Sequence, residues 1–292
     1  MTAKTPSATA PARPARSLDE MAPPPGQRRS GDHNVSSSRA RARTSADPAV
    51  TAPATRARTG GKPAQACQPA LLAPLPRISG ISIAARYRSA TPGASVGGDL
   101  YEIIPTGHGI RVIIGDVRGK GLGAILLAGQ VLSAFRRSAV AVPALERVAG
   151  EVSRAIWPYL GEEDFVTAVL VQIAPGGELT VVNCGHHPPL LHHGGGLRTL
   201  TGSTAAPPLG LEDDFTAFTA SWLPGDRLLL YTDGLVESRN QHGDFLPEDH
   251  IATALLAADC DQALDALLAA VHRHTGGHGH DDMALLLLEY GA

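Results

Sequence analysis

Short runs of Val, Ile and Leu recur along this chain after about residue 75, and most are joined by links of only a few residues. Clusters of Gly, Pro and Asp separate the runs, as expected between β-strands. Links this short cannot hold the crossover helix that parallel strands need, so the pattern predicts mainly antiparallel pairing. The predicted strands are 79–87, 100–104, 110–115, 165–173, 178–183, 188–192, 215–222, 227–232 and 283–290. Turns at 175–177 and 224–226 are predicted to close hairpins.

Helical periodicity appears in three segments, 122–137, 144–157 and 248–272. Pro143 suits the start of the second helix and Pro158 its end. The strands 227–232 and 283–290 are almost continuously apolar, which implies cover on both faces. The expected fold class is therefore α+β, with two packed, mainly antiparallel sheets flanked by helices. Periodicity alone does not fix the strand order.

Composition divides the chain into two parts. The first 70 residues contain almost no Leu, Ile or Phe and carry 11 Lys and Arg against 4 Asp and Glu. A segment of this kind buries too little apolar surface to offset the entropy of ordering it, so residues 1–72 are predicted to be a disordered Ala/Pro/Arg-rich tail. Residues 73–292 are predicted to form one domain. The tail could be a nucleic-acid arm, but its arginines lack interleaved aromatic residues, which favours a solvated linker.

The cysteine positions and the hydropathy pattern indicate the cellular compartment. The three cysteines are far apart and form no C-x-x-C pair, which argues against a disulfide framework or a thiolate zinc site and fits a reducing compartment. They are Cys67, Cys184 and Cys260. No secretory signal pattern is visible, and polar residues interrupt the longest apolar stretches, so we expect a cytoplasmic protein without a membrane span.

The stretch VIIGDVRGKGLGAILLAG at 112–129 raises the question of a phosphate-binding loop. A P-loop needs four residues between its first glycine and Gly-Lys, followed by Ser or Thr. Here three residues separate Gly115 from Gly119, and Lys120 is followed by Gly121. The dinucleotide pattern G-x-G-x-x-G fails on spacing as well. Neither nucleotide motif is present.

Aspartates abut the apolar strands at several places. Asp116 follows one strand and Asp233 another, whereas Asp99, Asp281 and Asp282 precede strands. A single such residue is usually a turn residue. Several that converge at buried strand ends need a cation, and an all-oxygen ligand set selects Mg²⁺ or Mn²⁺. Two such ions can clamp a phosphate and activate a water molecule as the nucleophile, which points to metal-assisted phosphoester hydrolysis.

Six ordered motifs carry a resemblance to a known family. They read VGGDLYE, IGDVRGKGLGAILLAG, FVTAVL, VVNCGHHPPLL, GDRLLLYTDGLVESRN and HDDMALLLL. Over about residues 76–290 the chain resembles the SpoIIE/RsbU-type bacterial serine phosphatases, which are metal-dependent PP2C (PPM) protein phosphatases. The resemblance implies a PP2C-like α-β-β-α sandwich with two Mn²⁺ or Mg²⁺ ions. It also implies a phosphorylated STAS-domain anti-sigma-factor antagonist as substrate, a role in sigma-factor regulation, and a homodimer as one assembly to test.

The resemblance assigns roles to individual residues. Asp116 and Asp233 are the expected catalytic residues, acting through metal-activated water. The expected metal ligands are Asp99, Asp116, the Val117 carbonyl, Asp233 and Asp281, with Asp282 as a further candidate. Neighbouring glycines would let the backbone approach the ions. These are Gly97, Gly98, Gly115 and Gly234.

Several assignments stay open at this point. Arg118 and Lys120 are candidate substrate-binding residues, although Arg118 is equally compatible with a surface position. Asn183 and His186 are expected to be structural. Eight histidines raise a zinc hypothesis, which the glycine-broken spacing of the second group disfavours. They are His186, His187, His192 and His193, and then His272, His274, His278 and His280. Two rival functions remain, a catalytically silent phosphoprotein-binding module and a nucleic-acid anchor formed by the basic tail.

Overall fold

A computed structural model of the chain describes residues 74–89, 97–204, 206–277 and 281–291. The predicted tail, residues 1–72, lies outside the described residues. One described helix, Leu122–Ala141, is long and apolar enough to cross a membrane by length and composition, and 56% of its apolar window is buried. Most of its buried side chains belong to an apolar core cluster that it shares with the next helix and with one sheet, as in the core helix of a globular domain.

Ten strands form two five-stranded sheets in the described residues, and the paired strands are antiparallel, as predicted. The first sheet has the order β1-β10-β9-β6-β7 and the second the order β2-β3-β4-β5-β8. The strands are β1 Ile81–Arg88, β2 Leu100–Thr106, β3 Gly109–Val117, β4 Val166–Ile173, β5 Glu178–Cys184, β6 Leu190–His193, β7 Gly196–Thr199, β8 Ala217–Ser221, β9 Arg227–Tyr231 and β10 Met283–Tyr290.

Helices cover the outer face of each sheet. The helices are α1 Leu122–Ala141, α2 Leu145–Ile156, α3 Asp233–Val236, α4 Glu248–Ala254 and α5 Cys260–Thr275. One apolar cluster joins α1 and α2 to the second sheet, another joins α4 and α5 to the first sheet, and a third fills the space between the sheets. Strands β9 and β10 are apolar on both sides because one face meets helices and the other meets the opposite sheet. The predicted α-β-β-α sandwich is confirmed.

A buried arginine fixes the end of α1. Arg111 on β3 has no solvent exposure. Its guanidinium donates to the Ala139 carbonyl at 2.9 Å, to the carbonyls of Val142 and Pro143, and to the side chain of Gln172. The carbonyls at a helix end have no partner within the helix, and this side chain supplies one. The link between α1 and α2 is thereby tied to the sheet beneath it.

Three details of the predicted elements were wrong. The helix predicted at 248–272 is two helices, because the Asp259 side chain accepts from the Gln262 N–H at 2.8 Å and starts α5 as a new N-cap. The short strand β7 was not predicted. The turn at 224–226 does not close a hairpin, since β8 and β9, which it joins, belong to different sheets. The hairpin at 175–177 is confirmed by the pairing of β4 with β5.

Candidate metal centre

Four strand ends bring the predicted aspartates to one side of the sandwich. Asp116 lies near the end of β3, and Asp99 directly precedes β2, the antiparallel neighbour of β3. In the other sheet Asp233 follows β9, the neighbour of β10. Because β3 contacts β9 across the two sheets, these ends meet. Carboxylate oxygens of Asp99, Asp116 and Asp233 all lie within 4.8 Å of one another.

The other two predicted ligands lie at the wall of the same cleft. Asp281 and Asp282 line it together with the three clustered aspartates. One carboxylate oxygen of Asp281, Oδ1, accepts from the Lys120 ammonium at 2.9 Å and from the Asp282 N–H at 3.0 Å. The structure therefore brings together all five predicted acidic residues but groups only three of them within metal-sharing distance. Their roles as ligands stay predictions.

Main-chain atoms around the cluster leave no room for a side chain at three of the predicted glycines, Gly98, Gly115 and Gly234. A Cβ on Gly98 would lie 2.3 Å from the Val117 carbonyl oxygen, and one on Gly234 would lie 2.0 Å from the Asp282 carbonyl oxygen. Both obstacles are main-chain atoms, which cannot move aside as a flexible side chain can. The Val117 N–H donates to the Gly98 carbonyl at 3.3 Å. Glycine is thus required for this approach of the strands that carry the carboxylates.

Crowding makes the three carboxylates hard to ionise together. Burial raises the pKa of Asp99 well above its ordinary range, and the neighbouring Asp116 charge raises it further. Burial, followed by the charges of Asp233 and Asp281, raises the pKa of Asp116 to about 7. The pKa of Asp233 is raised by burial and then by Asp281. Like charges held close in a buried site repel each other unless a cation neutralises them.

Thr232 holds Asp99 in place, and its role was not predicted. It is fully buried, and its hydroxyl donates to Asp99 Oδ2 at 3.1 Å while it accepts from the Ala284 N–H at 2.8 Å. This hydroxyl therefore links a carboxylate of one sheet to the backbone of the other. The sequence feature that could have indicated this role is the position of Thr232, a polar residue between the apolar strand 227–231 and Asp233.

Two basic residues line the cleft, which has a volume of about 460 Å³. Arg118 donates to the Glu163 carbonyl at 2.6 Å, and its guanidinium carbon lies 5.5 Å from the centre of the Phe165 ring. Lys120 is paired with Asp281, as described above. Both were predicted as substrate-binding residues, and the structure places both at the cleft, where that role stays a prediction.

The Asn183 and His186 side chains brace a loop that lines the cleft. The Asn183 amide donates to the His186 carbonyl and its oxygen accepts the His186 N–H, both at 2.8 Å. The imidazole of His186 lies 2.9 Å from the Thr167 hydroxyl and 3.0 Å from the Tyr231 carbonyl. Burial lowers the pKa of His186 to about 4. These hydrogen bonds support the structural role predicted for this pair, which stays a prediction.

The zinc hypothesis finds no support in the described part of the chain. Within the ranges that the structure describes, the aspartate cluster alone offers three or more potential ligand atoms close enough to share an ion. His278 and His280 lie outside the described residues.

Sequence comparisons agree with this geometry. The family model of stage II sporulation protein E (SpoIIE) matches residues 106–291. The phosphoserine phosphatase RsbP of Bacillus subtilis is 27% identical over 205 residues, which are 67% of this chain and 50% of RsbP. The protein IcfG of Synechocystis is 26% identical over 203 residues, which are 57% of this chain and 31% of IcfG. The chain thus spans about half or less of the length of these curated relatives.

Solved structures share the fold. The RsbU and RsbW domains of a Mycobacterium tuberculosis protein match with a TM-score of 0.63 at 27% identity, over 73% of this chain and 60% of that one. The catalytic domain of the serine/threonine phosphatase PstP, crystallised with two manganese ions, matches with a TM-score of 0.57 at 19% identity, over 73% of this chain and 99% of that one. The PP2C domain of SpoIIE from Bacillus subtilis matches with a TM-score of 0.58 at 18% identity, over 72% of this chain and 63% of that one.

Proposed function

The chain belongs to the SpoIIE family of PP2C-type domains, and from this membership we propose that it is a metal-dependent protein serine/threonine phosphatase. The observation that carries the proposal is the cluster of Asp99, Asp116 and Asp233, whose carboxylate oxygens approach within 4.8 Å of one another at a cleft open to a substrate. The relative RsbP is named a phosphoserine phosphatase, which supports phosphoserine as the residue that is dephosphorylated.

The residues present fit a hard divalent cation. The donor atoms are carboxylate oxygens, with further carboxylates at Asp281 and Asp282, and no thiol or imidazole belongs to the cluster. This set suits Mg²⁺ or Mn²⁺ rather than a softer metal. The raised pKa values of the three clustered aspartates fit a site completed by positive charge. We propose two ions, Mn²⁺ or Mg²⁺, because the PP2C neighbour PstP was crystallised with two manganese ions.

The chain's own side chains have separate tasks in the proposed reaction. Asp116 and Asp233 would hold the cations and place the attacking water, and Thr232 fixes the carboxylate of Asp99. When bound, divalent cations lower the pKa of water and neutralise phosphate oxygens. Arg118 and Lys120 bring positive charge to the rim, where a dianionic phosphate must enter. No cysteine lines the cleft in the described structure, which favours direct attack by water over a cysteinyl-phosphate intermediate.

The finer substrate assignment rests on the relatives. RsbP is named a phosphoserine phosphatase, and the M. tuberculosis structure joins an RsbU domain to an RsbW domain. By this relationship we propose that the substrate is a phosphorylated STAS-domain anti-sigma-factor antagonist and that the reaction regulates a sigma factor. A cytoplasmic location follows from that role.

Hydrolysis of p-nitrophenyl phosphate by the full chain tests the proposed chemistry. We expect turnover with Mn²⁺, none with excess chelator, and a loss of at least about a hundred-fold in Asp233→Asn, because the substitution removes a charged ligand. Turnover that survives the chelator or the substitution would refute the metal assignment. Manganese binding without turnover would instead favour the silent phosphoprotein-binding module.

A further inference from the structure

Two large aromatic side chains, two positions apart in the sequence, are exposed. The chain has two tryptophans, and Trp222 is only 1% exposed whereas Trp157 is 62% exposed. Trp157 begins a 3₁₀ turn after α2, and Tyr159, which ends that turn, is 57% exposed. Leu211, in a loop between β7 and β8, is 56% exposed. We call these three residues the aromatic ridge. Exposed aromatic residues are the commonest anchors of protein interfaces.

The two segments of the aromatic ridge form one surface. Leu160 directly follows the turn and lies close to Gly210: a Cβ added to Gly210 would be 2.1 Å from Leu160 Cδ1. The Gly210 N–H donates to the Ser153 hydroxyl on α2 at 2.8 Å. The Leu209 N–H donates to the Val166 carbonyl at 2.9 Å. The turn after α2 and the loop that carries Leu211 are therefore held side by side.

Carboxylates surround the aromatic ridge. Both segments are acidic, and five of their six carboxylate residues are exposed. Among the residues that the structure describes, two arginines pair with this group, Arg118 with Glu163 at 3.3 Å and Arg154 with Asp213 at 2.7 Å. A clear excess of negative charge remains. The six residues are Glu162, Glu163, Asp164, Glu212, Asp213 and Asp214.

This acidic surface continues into the cleft. Phe165 lines the cleft, and its carbonyl accepts the Arg118 N–H at 3.2 Å. The Arg118 guanidinium reaches back to the Glu163 carbonyl at 2.6 Å. Val117 on β3 pairs with Val166 on β4, and Thr167, the residue after Val166, also lines the cleft. A bound chain can thus leave the cleft past Arg118 and run over the acidic residues to the aromatic ridge.

We propose that the aromatic ridge and its carboxylates are the docking surface for the phosphoprotein substrate, and that this substrate presents basic residues and an apolar side chain beside its phosphoserine. The inference rests on the proposed function, which identifies the reaction. The choice of the substrate as the occupant rests on charge complementarity and on the continuity of this surface with the cleft. The apolar side chain covers Trp157 and Tyr159, and the basic residues meet the exposed carboxylates. Arg118 and Lys120, which line the cleft, then meet the phosphate.

The test uses two synthetic phosphoserine peptides of equal length. One carries Arg and Leu on the flanks of the phosphoserine, and the other replaces each Arg by Asp. With the full chain and Mn²⁺, we expect kcat/KM for the basic peptide to exceed that for the acidic peptide at least ten-fold. High salt should shrink this ratio, because exposed charges are screened. Trp157→Ala and Tyr159→Ala should each lower kcat/KM for the basic peptide while turnover of p-nitrophenyl phosphate stays unchanged.

Fluorescence quenching gives a readout that does not need turnover. Because Trp222 is buried, acrylamide quenching of the full chain reports mainly on Trp157. The basic peptide should protect this fluorescence and the acidic peptide should not. Leu256→Ala is the matched control for Trp157→Ala and Tyr159→Ala and should leave kcat/KM for the basic peptide unchanged. Leu256 is equally exposed, at 63%, but belongs to the segment between α4 and α5 on the other outer face. Charge reversal by Glu212→Lys with Asp214→Lys should invert the peptide preference.

Each outcome bears on one claim. Protection of Trp157 without hydrolysis keeps the docking surface and refutes the proposed function. Hydrolysis of both peptides at equal rates, without protection, keeps the phosphatase and overturns the docking surface. A dimer that Trp157→Ala converts to a monomer would make this face an interface between copies and overturn the proposal. Trp157 already protected from acrylamide in the free chain, and exposed by high salt, would assign the surface to the basic tail instead.

Discussion

Asp116→Asn should stabilise the protein when metal is removed, although it removes a residue proposed to be essential. Burial and three neighbouring carboxylates raise the pKa of Asp116 from an ordinary value of 3.8 to about 7. In an unfolded chain the same carboxyl ionises freely. Between these two pKa values the folded protein binds more protons than the unfolded chain, so its stability falls as the pH rises.

The magnitude follows from the size of that shift. A rise from 3.8 to about 7 corresponds to at most about 4 kcal/mol of stability lost above pH 7. Between about pH 5 and pH 8 the loss is roughly 2 to 3 kcal/mol. Asparagine has a similar shape and no charge, so the variant avoids this loss. It also relieves Asp99, whose pKa is raised partly by the Asp116 charge.

Urea unfolding in excess chelator at the two pH values measures the effect. We expect the variant to exceed the wild type in free energy of unfolding by an amount that grows by roughly 2 to 3 kcal/mol from about pH 5 to pH 8. Asp265→Asn is the control, because hydrogen bonding to Arg86 lowers the pKa of Asp265 and the carboxyl is already ionised at pH 5. This variant should be no more stable than the wild type, and its difference from the wild type should not change between the two pH values. For Asp116→Asn, a difference that does not change with pH, or lower stability than the wild type at pH 8, would refute the reasoning.

Three further substitutions test the site and the fold that supports it. Gly98→Ala should cost about 1 to 3 kcal/mol and weaken Mn²⁺ binding in calorimetry, because its Cβ would lie 2.3 Å from the Val117 carbonyl oxygen; unchanged binding would contradict the close approach. Arg111→Gln should cost roughly 3 to 5 kcal/mol in urea unfolding, since buried carbonyls lose their donors, and wild-type stability would remove its assigned role. Lys120→Gln should tighten Mn²⁺ binding about two- to five-fold, because the ammonium no longer occupies Asp281, and weaker binding would show that it assists the metal instead.

The layered fold was predictable because apolar patterning reports burial directly. Continuous apolar runs at β9 and β10 required cover on both faces, and the short links required antiparallel pairing. The errors occurred where a local signal was read without its surroundings. The new helix start at Asp259 interrupts an alanine-rich stretch whose periodicity alone predicts one helix. The turn at 224–226 has hairpin composition, but composition does not say which sheet the next strand joins.

The site was predictable at the level of its acidic residues and not at the level of their partners. Asp99, Asp116 and Asp233 each stand beside a strand, and this position could be read from the sequence. The contacts that tune them join distant parts of the chain. Thr232 bonds to Asp99 across 133 residues, and Lys120 bonds to Asp281 across 161. Such pairs depend on strand order, which periodicity does not determine.

Equilibrium binding of Mn²⁺, followed by the electron paramagnetic resonance of the free ion, tests the central claim most directly. The claim is that Asp99, Asp116 and Asp233 form one site for divalent cations. The account predicts saturable binding to the full chain at neutral pH and its loss in Asp116→Asn, with Asp213→Asn, on the exposed acidic surface, as a control that binds like the wild type. Equal binding by the wild type and Asp116→Asn, or no binding by either, would contradict the account.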